Sequence, residues 1–531
     1  MRLAAIALVL AASACAQVTA PLLGWLPQGS AIRPMNGLAG AAVLGPPVNV
    51  GHRLANIAVS PSQDYVLASD AGSGAVLLIV PGTSAIPLAV PSNPDRIVVS
   101  PRGSSAAEWY PAAGQLEIVS GLPGSPVVRQ LSLSIAPPGA LAVSDDGQWV
   151  AAASAEGVEE WSPDGAMHQV YEGSDAEALT FFGGNSNLAI ATSTGLLSAS
   201  ASGSAMLYPG SFSAAGLGIS FDNRKIVLAD RDGTIYSIDA ASHAAAVLDC
   251  QCTPGGVFSL GAAVFRLTSS DIGPVKLVDA VSGAILEVPR AGRESRSIVH
   301  PQQSGQPLPA LAINLSPTST GYLQQPAMTI TVASAYPDEI DGNVTLTFAS
   351  FESGTDNSIQ FSNASNTVNF TIPAGSTQAN FSGAPNITFS TGSIAGTITL
   401  VANVTAPQTA NSVATQAITN QPTVPFISSV TLNQTPGGVT VVITGYSSAE
   451  NVESGTFNFS LSSNASITTN DITVSVSPQF QAYYSNSSSY ATGSEFTLSV
   501  PFAITGNPND LTGVTVTLLN IRGASNPVSS Q

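Results

Sequence analysis

Ile57-Ala58-Val59-Ser60-Pro61, Ile97-Val98-Val99-Ser100-Pro101 and Leu141-Ala142-Val143-Ser144-Asp145 are three copies of one signal, an apolar strand running into a polar turn. Weaker copies follow at Leu179-Thr180-Phe181-Phe182, Gly218-Ile219-Ser220-Phe221 and Gly256-Val257-Phe258-Ser259. Successive copies start 40, 44, 38, 39 and 38 residues apart. That period is the length of one four-stranded propeller blade, whereas solenoid repeats of similar length are normally helical. The interior of each unit agrees. Lys225-Ile226-Val227-Leu228-Ala229 runs through Asp230-Arg231-Asp232-Gly233 into Thr234-Ile235-Tyr236-Ser237-Ile238. Asp-Gly between two apolar runs signals a hairpin, because glycine takes the positive φ the turn requires.

Six copies are visible, and the span 35–300 divided by about 40 residues per blade gives six or seven. Six is the preferred count and seven the alternative. Residues 35–50, with Ala41-Ala42-Val43-Leu44, read as a further strand expected to pair with the last blade. Such closure would leave no open sheet edge.

Composition changes near residue 300. Pro301-Gln302-Gln303-Ser304-Gly305-Gln306-Pro307 reads as part of a linker, 301–309. Beyond it the chain carries no Lys, no His and a single Arg, Arg522. Strict alternation takes over, as in Val344-Thr345-Leu346-Thr347-Phe348 and Val368-Asn369-Phe370-Thr371-Ile372. Period two places one face on a core and the other in water, as in an antiparallel sandwich. A second break at Asn420-Gln421-Pro422-Thr423-Val424-Pro425 divides the tail into 310–421 and 424–531, each about the size of one immunoglobulin-like domain. The fold class read from the sequence is all-β: a six- or seven-bladed propeller over 35–300, then two sandwiches.

The first 16 residues read as a signal peptide. Met1-Arg2 is a minimal positive region, and Leu3 to Ala12 is apolar but too short to span a bilayer. Two processing readings are open. Ala14-Cys15-Ala16 fits a cut before Gln17, and Ala12-Ser13-Ala14-Cys15 resembles a lipoprotein box in which Cys15 is lipidated. The usual first residue of that box, Leu, is Ala12 here. No later segment is long and apolar enough for a membrane helix. With 15 basic against 33 acidic residues the net charge is −18, which disfavours nucleic acid and anionic membranes as partners.

The Ser-Pro-x-x-Asp and Ser-Asp-Asp-Gly turns at 60–64 and 144–147 resemble those of WD40-like and lactonase-like bacterial propellers. No Gly-His is followed by a Trp-Asp pair, and later repeats lose the turn. Val368–Thr377 and Gly445-Tyr446-Ser447 resemble immunoglobulin-like modules at the C-termini of secreted bacterial proteins. These resemblances imply a fold and a location, not an activity.

Candidate chemistry is sparse. His52, His168, His243 and His300 fall in different repeats or the linker, and no short metal spacing or G-x-S-x-G elbow occurs. No catalytic residue and no cofactor is assigned. Asp145-Asp146-Gly147 and Asp230-Arg231-Asp232-Gly233 read as hairpin turns. Asp338, Glu339 and Asp341 cluster beside Gly342 and are weak calcium candidates, without the ligand series of an EF-hand. Cys250-Gln251-Cys252 is a candidate disulfide. In a strand, residues two apart sit about 6.5–7 Å apart, so a bond requires a turn or bulge there. Asn-x-Ser/Thr triplets at Asn343, Asn369, Asn386, Asn403 and Asn458 read as coincidences of composition. The functional expectation is a secreted or envelope-associated binding or adhesion protein without catalytic activity. Its partner would be a protein or polysaccharide at the cell surface. A secreted propeller hydrolase, lactonase-like or glycan-active, and a structural surface-layer component are the alternatives.

Overall fold

Buried serines close the repeated turns. In five repeats one residue donates its N–H to the carbonyl five residues on: Ser60 to Tyr65 (3.0 Å), and Ser100 to Ser105, Ser144 to Trp149, Phe182 to Asn187 and Ser220 to Lys225 (each 2.9 Å). Where that residue is serine its hydroxyl works too, taking the N–H of Trp149 on Ser144 and of Lys225 on Ser220 (each 2.9 Å). Both hydroxyls then donate to the aspartate two residues on, Asp146 and Asp222 (2.6 Å). A turn that satisfies its own polar groups can sit under a core.

The computed structural model describes residues 16–132, 138–200, 203–268, 273–290, 308–318, 321–352, 354–406, 412–435, 437–463, 470–504 and 507–530. The leader with Cys15, His300 and most of the linker lie outside them. The protein is all-β, with repeated four-stranded antiparallel sheets in a propeller-like array. A three-stranded sheet (Leu22–Gln28, Ala31–Asn36, Val43–Leu44) comes first, and six four-stranded sheets follow in chain order. The second opens at Leu54–Val59, and the seventh ends at Ala284–Val288. The array therefore begins at Leu22, ahead of the expected residue 35. Val43 and Leu44 do not join the last sheet; they pair with Asn36 and Met35 in the first. A tight loop at 37–42 returns the chain onto its own neighbour, and Ala42 meets the seventh sheet through packing instead.

Each sheet buries both faces. The contacts pass from Trp25, Ile32 and Val66 (first on second) to Tyr65, Leu67 and Ala106. Trp109, Val143 and Trp161 join the third and fourth, and Val158, Phe181 and Ile190 the fourth and fifth. Ala191, Ile226 and Leu228 carry it to the sixth, and Val227, Ile235 and Phe265 to the seventh. Val275 and Leu277 of the seventh then pack on Leu26 and Met35 of the first, so the packing returns to its start. Small residues such as Ala151, Ala189 and Ala229 supply much of the second strands, which lets adjacent sheets approach closely.

Two two-sheet modules follow. The first sets Leu311–Ser316, Ala327–Val332 and Ile387–Thr388 against Thr367–Ile372, Ile340–Ser350, Gly396–Ala406 and Val413–Asn420. Met328, Ile330, Phe361, Phe370 and Leu400 fill the space between. The second has a core built on Val441, Phe457, Phe496 and Val516. Two of its features escape the sequence reading. Gln17–Thr19, at the other end of the chain, pairs antiparallel with Thr497 to Ser499, and Ala16 is buried in this core. One eight-residue helix, Ser477–Tyr484, places Phe480, Tyr483 and Tyr484 in the same core, with a proline in its first turn.

Phe181 is fully buried between two sheets while Val127 is 64% exposed on an outer strand. Phe181→Ala is expected to cost about 3–5 kcal/mol, read as a lower urea midpoint, and Val127→Ala less than about 0.5 kcal/mol. Equal effects would contradict the packing described.

Candidate functional site

Polar side chains converge where the seventh sheet meets the first two-sheet module. Lys276 and Glu287 are direct cross-strand partners on the last hairpin of the array, so their side chains share one face. Both are mostly buried and form an ion pair. Glu287 also accepts from the Thr388 hydroxyl of the adjoining module. Gln325 clamps the same residue through the main chain: its Oε1 takes the Glu287 N–H and its Nε2 donates to the Glu287 carbonyl (each 2.6 Å). That Nε2 also donates to Gly40 O in the first sheet (3.0 Å).

Above this floor opens a cleft of about 790 Å³. Asp249 and Gln251 form its propeller-side rim, and Ser362, Asn363, Asn369 and Asn386 stand on the opposite wall. The chain has only two lysines, and the one in this cleft is neutralised by Glu287. What remains is a mixed surface, amides and hydroxyls beside apolar side chains such as Ile285, Phe381 and Ile387, with a carboxylate at the rim. The amides and hydroxyls donate and accept hydrogen bonds in both directions, which suits an uncharged, hydroxylated ligand.

The cysteines lie at that rim. Cys250 and Cys252 are joined by a disulfide with Cα atoms 5.1 Å apart. Gln251 between them takes φ +48°, so the chain turns where an extended strand would hold them farther apart. Cys250 is buried with Phe265 and Ile235 and anchors the rim to the core.

The other candidates disperse. Asp338 and Glu339 precede Ile340–Ser350 and Asp341 lies within it. Among the described residues no group of three His, Cys, Asp or Glu is arranged to hold a metal ion. His52 pairs with Asp70 (2.5 Å), His168 lies on an outer strand, and His243 occupies a positive-φ turn position. Asp145 staples neighbouring turns, accepting from the N–H of Arg102 (2.8 Å) and of Gly184 (2.7 Å). Asp232 caps its own turn at the Thr234 N–H (2.8 Å). Asn343, Asn369, Asn403 and Asn458 are strand residues.

Buried acids are the feature that sequence reasoning missed. Glu108 and Glu117 are cross-strand partners on the face of the third sheet that meets the second, and Glu160 lies in the fourth. Burial pushes Glu108 up to about 7, against the Tyr110 hydroxyl, with Glu117 adding to the rise. Glu160 is also raised to about 7 by burial. The Tyr110 hydroxyl lies 2.7 Å from both Pro91 O and Glu108 Oε2, and it has one proton to give. A protonated Glu108 resolves the conflict by donating to Tyr110, which then donates to Pro91. Two Glu residues alternating with apolar ones in Ala106–Ile118 were the only signal, and alternation alone reads as an exposed face.

No family model matches the chain, and no curated protein matches it. Among solved structures, one of a nidogen/laminin complex aligns with 40% of this chain and 89% of its own, at 13% identity and a TM-score of 0.32. That likeness is too loose to carry any part of a functional reading.

Glu108 has a raised value in the folded state, so its stabilisation is full below the ordinary carboxyl range and is lost as pH rises toward about 7. Unfolding midpoints are expected to fall between pH 5 and 7, and Glu108→Gln should flatten part of that fall. An unchanged profile would show that Glu108 is ionised throughout.

Proposed function

We propose that this protein is a secreted or envelope-associated binding protein without catalytic activity, and that its cleft holds a segment of neutral polysaccharide. In this reading the seven sheets are the blades of a seven-bladed propeller, and the two C-terminal modules are immunoglobulin-like spacers. The observation that carries it is the cleft wall, which offers amides and hydroxyls around an ion pair already satisfied. A wall of that kind recognises hydroxyl groups and gives no foothold to an anionic polymer. The clamp through Gln325 and Glu287 holds both walls in place before ligand arrives, which lowers the ordering cost of binding.

The proposed location is compatible with the disulfide, which persists in oxidising compartments. Ala16 is buried in the last module, which favours a mature chain that keeps it. Of the two processing sites read from the sequence, the cut before Cys15 does so. Mass analysis of the exported protein should therefore find an N-terminal lipidated Cys15. A chain starting at Gln17 would overturn this part of the reading.

Retention on a panel of neutral and acidic polysaccharides tests the cleft. Asn369 and Val413 lie on opposite edge strands of the same sheet. Asn369→Trp should abolish retention on the neutral polymer, with a loss of about tenfold or more, while Val413→Trp leaves it intact. No retention by the unmodified protein, or equal retention by both variants, would count against the cleft.

A further inference from the structure

The loop at 37–40 of the first sheet is the place where all three parts of the molecule touch. The Leu38 N–H donates to Glu495 Oε2 of the last module (2.7 Å). Gly40 O accepts from Gln325 Nε2 (3.0 Å) and Ser390 Oγ (3.1 Å) of the first module. Both glycines have positive φ, +110° at Gly37 and +97° at Gly40. A Cβ on Gly40 would stand 2.1 Å from Leu323 O, so the loop has no room for a side chain there. The modules are sewn together beside it, with Ser494 N–H donating to Ser393 Oγ (2.9 Å) and Ser494 Oγ to Ser393 O (2.7 Å).

Glu495 is fully buried in this seam, and its Oε1 has no hydrogen-bond partner. The groups that face it are acidic or neutral. From the first module comes Asp356, which already uses the donors available: Ser358 N–H (3.0 Å) and Oγ (2.5 Å), and Ser393 N–H (2.7 Å). From its own module come Tyr483, Tyr484 and, beyond Tyr484, Glu450, which accepts the Gly354 N–H (2.8 Å). Glu352 lies near Glu450. Among the described residues the array offers the Leu38 amide alone. The two modules own one cationic side chain, Arg522, and it is exposed. A charge on Glu495 would have one N–H to answer it.

We propose that Glu495 is a proton-operated latch: its protonated carboxyl keeps the 37–40 loop seated between the two modules, and loss of the proton releases the loop. An uncompensated buried carboxylate draws in water or expels its surroundings. The single hydrogen bond from Leu38 favours the ionised form, but one N–H is too little to offset burial and the nearby Asp356, so the loop gives way around it. Gln325 ties Gly40 to Glu287, so release at the loop loosens the floor of the interdomain cleft as well. Burial, with Asp356 second, raises the acid well above the ordinary carboxyl range. Seating is thus complete below that range and lost as pH rises through the shifted value.

Hydrogen exchange of the full-length protein across pH 4 to 9, corrected for intrinsic rates, tests this at the peptide covering the loop. Protection there should fall by about tenfold or more with rising pH, while Glu495→Gln stays protected throughout. Equal loss in both proteins, or no loss in the unmodified one, overturns the latch. Should Glu495→Gln fail to fold, Asp356→Asn removes a charge that opposes ionisation, so release should move to lower pH; an unmoved midpoint overturns the proposal. Restoration of protection at high pH by millimolar calcium would also overturn it, by showing a cation site in place of a proton.

Discussion

Burial of both faces of every sheet is the constraint on which the propeller-like array depends. A four-stranded antiparallel sheet with one wet face would have settled as half of a sandwich. Here second strands are apolar on both sides, as in Leu188-Ala189-Ile190-Ala191 and Ile226-Val227-Leu228-Ala229. Each sheet therefore needs two neighbours, and an open stack would leave two bare faces. Return of the packing to Leu26 and Met35 is the solution. The tail obeys the opposite rule. Its strands alternate strictly, bury one face, and stop at two layers.

Stability in this molecule owes little to charge. The ion pairs among described residues are few, and Arg224–Asp222 (3.8 Å) and Arg231–Glu177 (3.9 Å) are long and largely exposed. Such pairs contribute about 0–1 kcal/mol. Two sets stand out among the acidic residues. Asp70, Asp164, Asp232 and Asp239 accept turn N–H or hydroxyl groups and are held below the usual range chiefly by those bonds. Glu108, Glu160 and Glu495 are pushed upward by burial. The first set tolerates acid until deep in the carboxyl range and the second is favoured by it. Together they describe a protein built to be firm on the acid side of neutrality.

Much of the fold was legible because it rests on local signals. The Ser-Pro and Asp-Gly turns at Ser60, Ser144 and Gly233 encode their geometry within five residues. The same is true of the alternation around Val368 and Val441. What was hidden depends on pairing between distant segments. Nothing local marks Gln17-Val18-Thr19 as a partner of Thr497 to Ser499, and three residues are too few to show a period. The helix at Ser477–Tyr484 is equally short, with an amphipathic pattern that two turns cannot express. The candidate site was the least legible part. Its walls come from residues near 249, 287, 325 and 369, each unremarkable among the many Asn, Ser and Thr of this chain.

The same distance explains why the seam carries function in our reading. The chain leaves the last module at Thr19, traverses the whole array, and returns to that module only after residue 425. Its two ends are therefore tied through one sheet, and the array between them cannot move far without straining a contact at the seam. A junction closed by apolar packing would make this arrangement permanent. The junction here is closed by Leu38, Gly40, Asp356, Ser390, Ser393, Ser494 and Glu495, through hydrogen bonds and two buried carboxyls. Polar seams weaken when water enters, and water enters most readily where a charge appears. In this reading, packed cores joined by a titratable seam place the freedom of the molecule between its modules, beside the cleft.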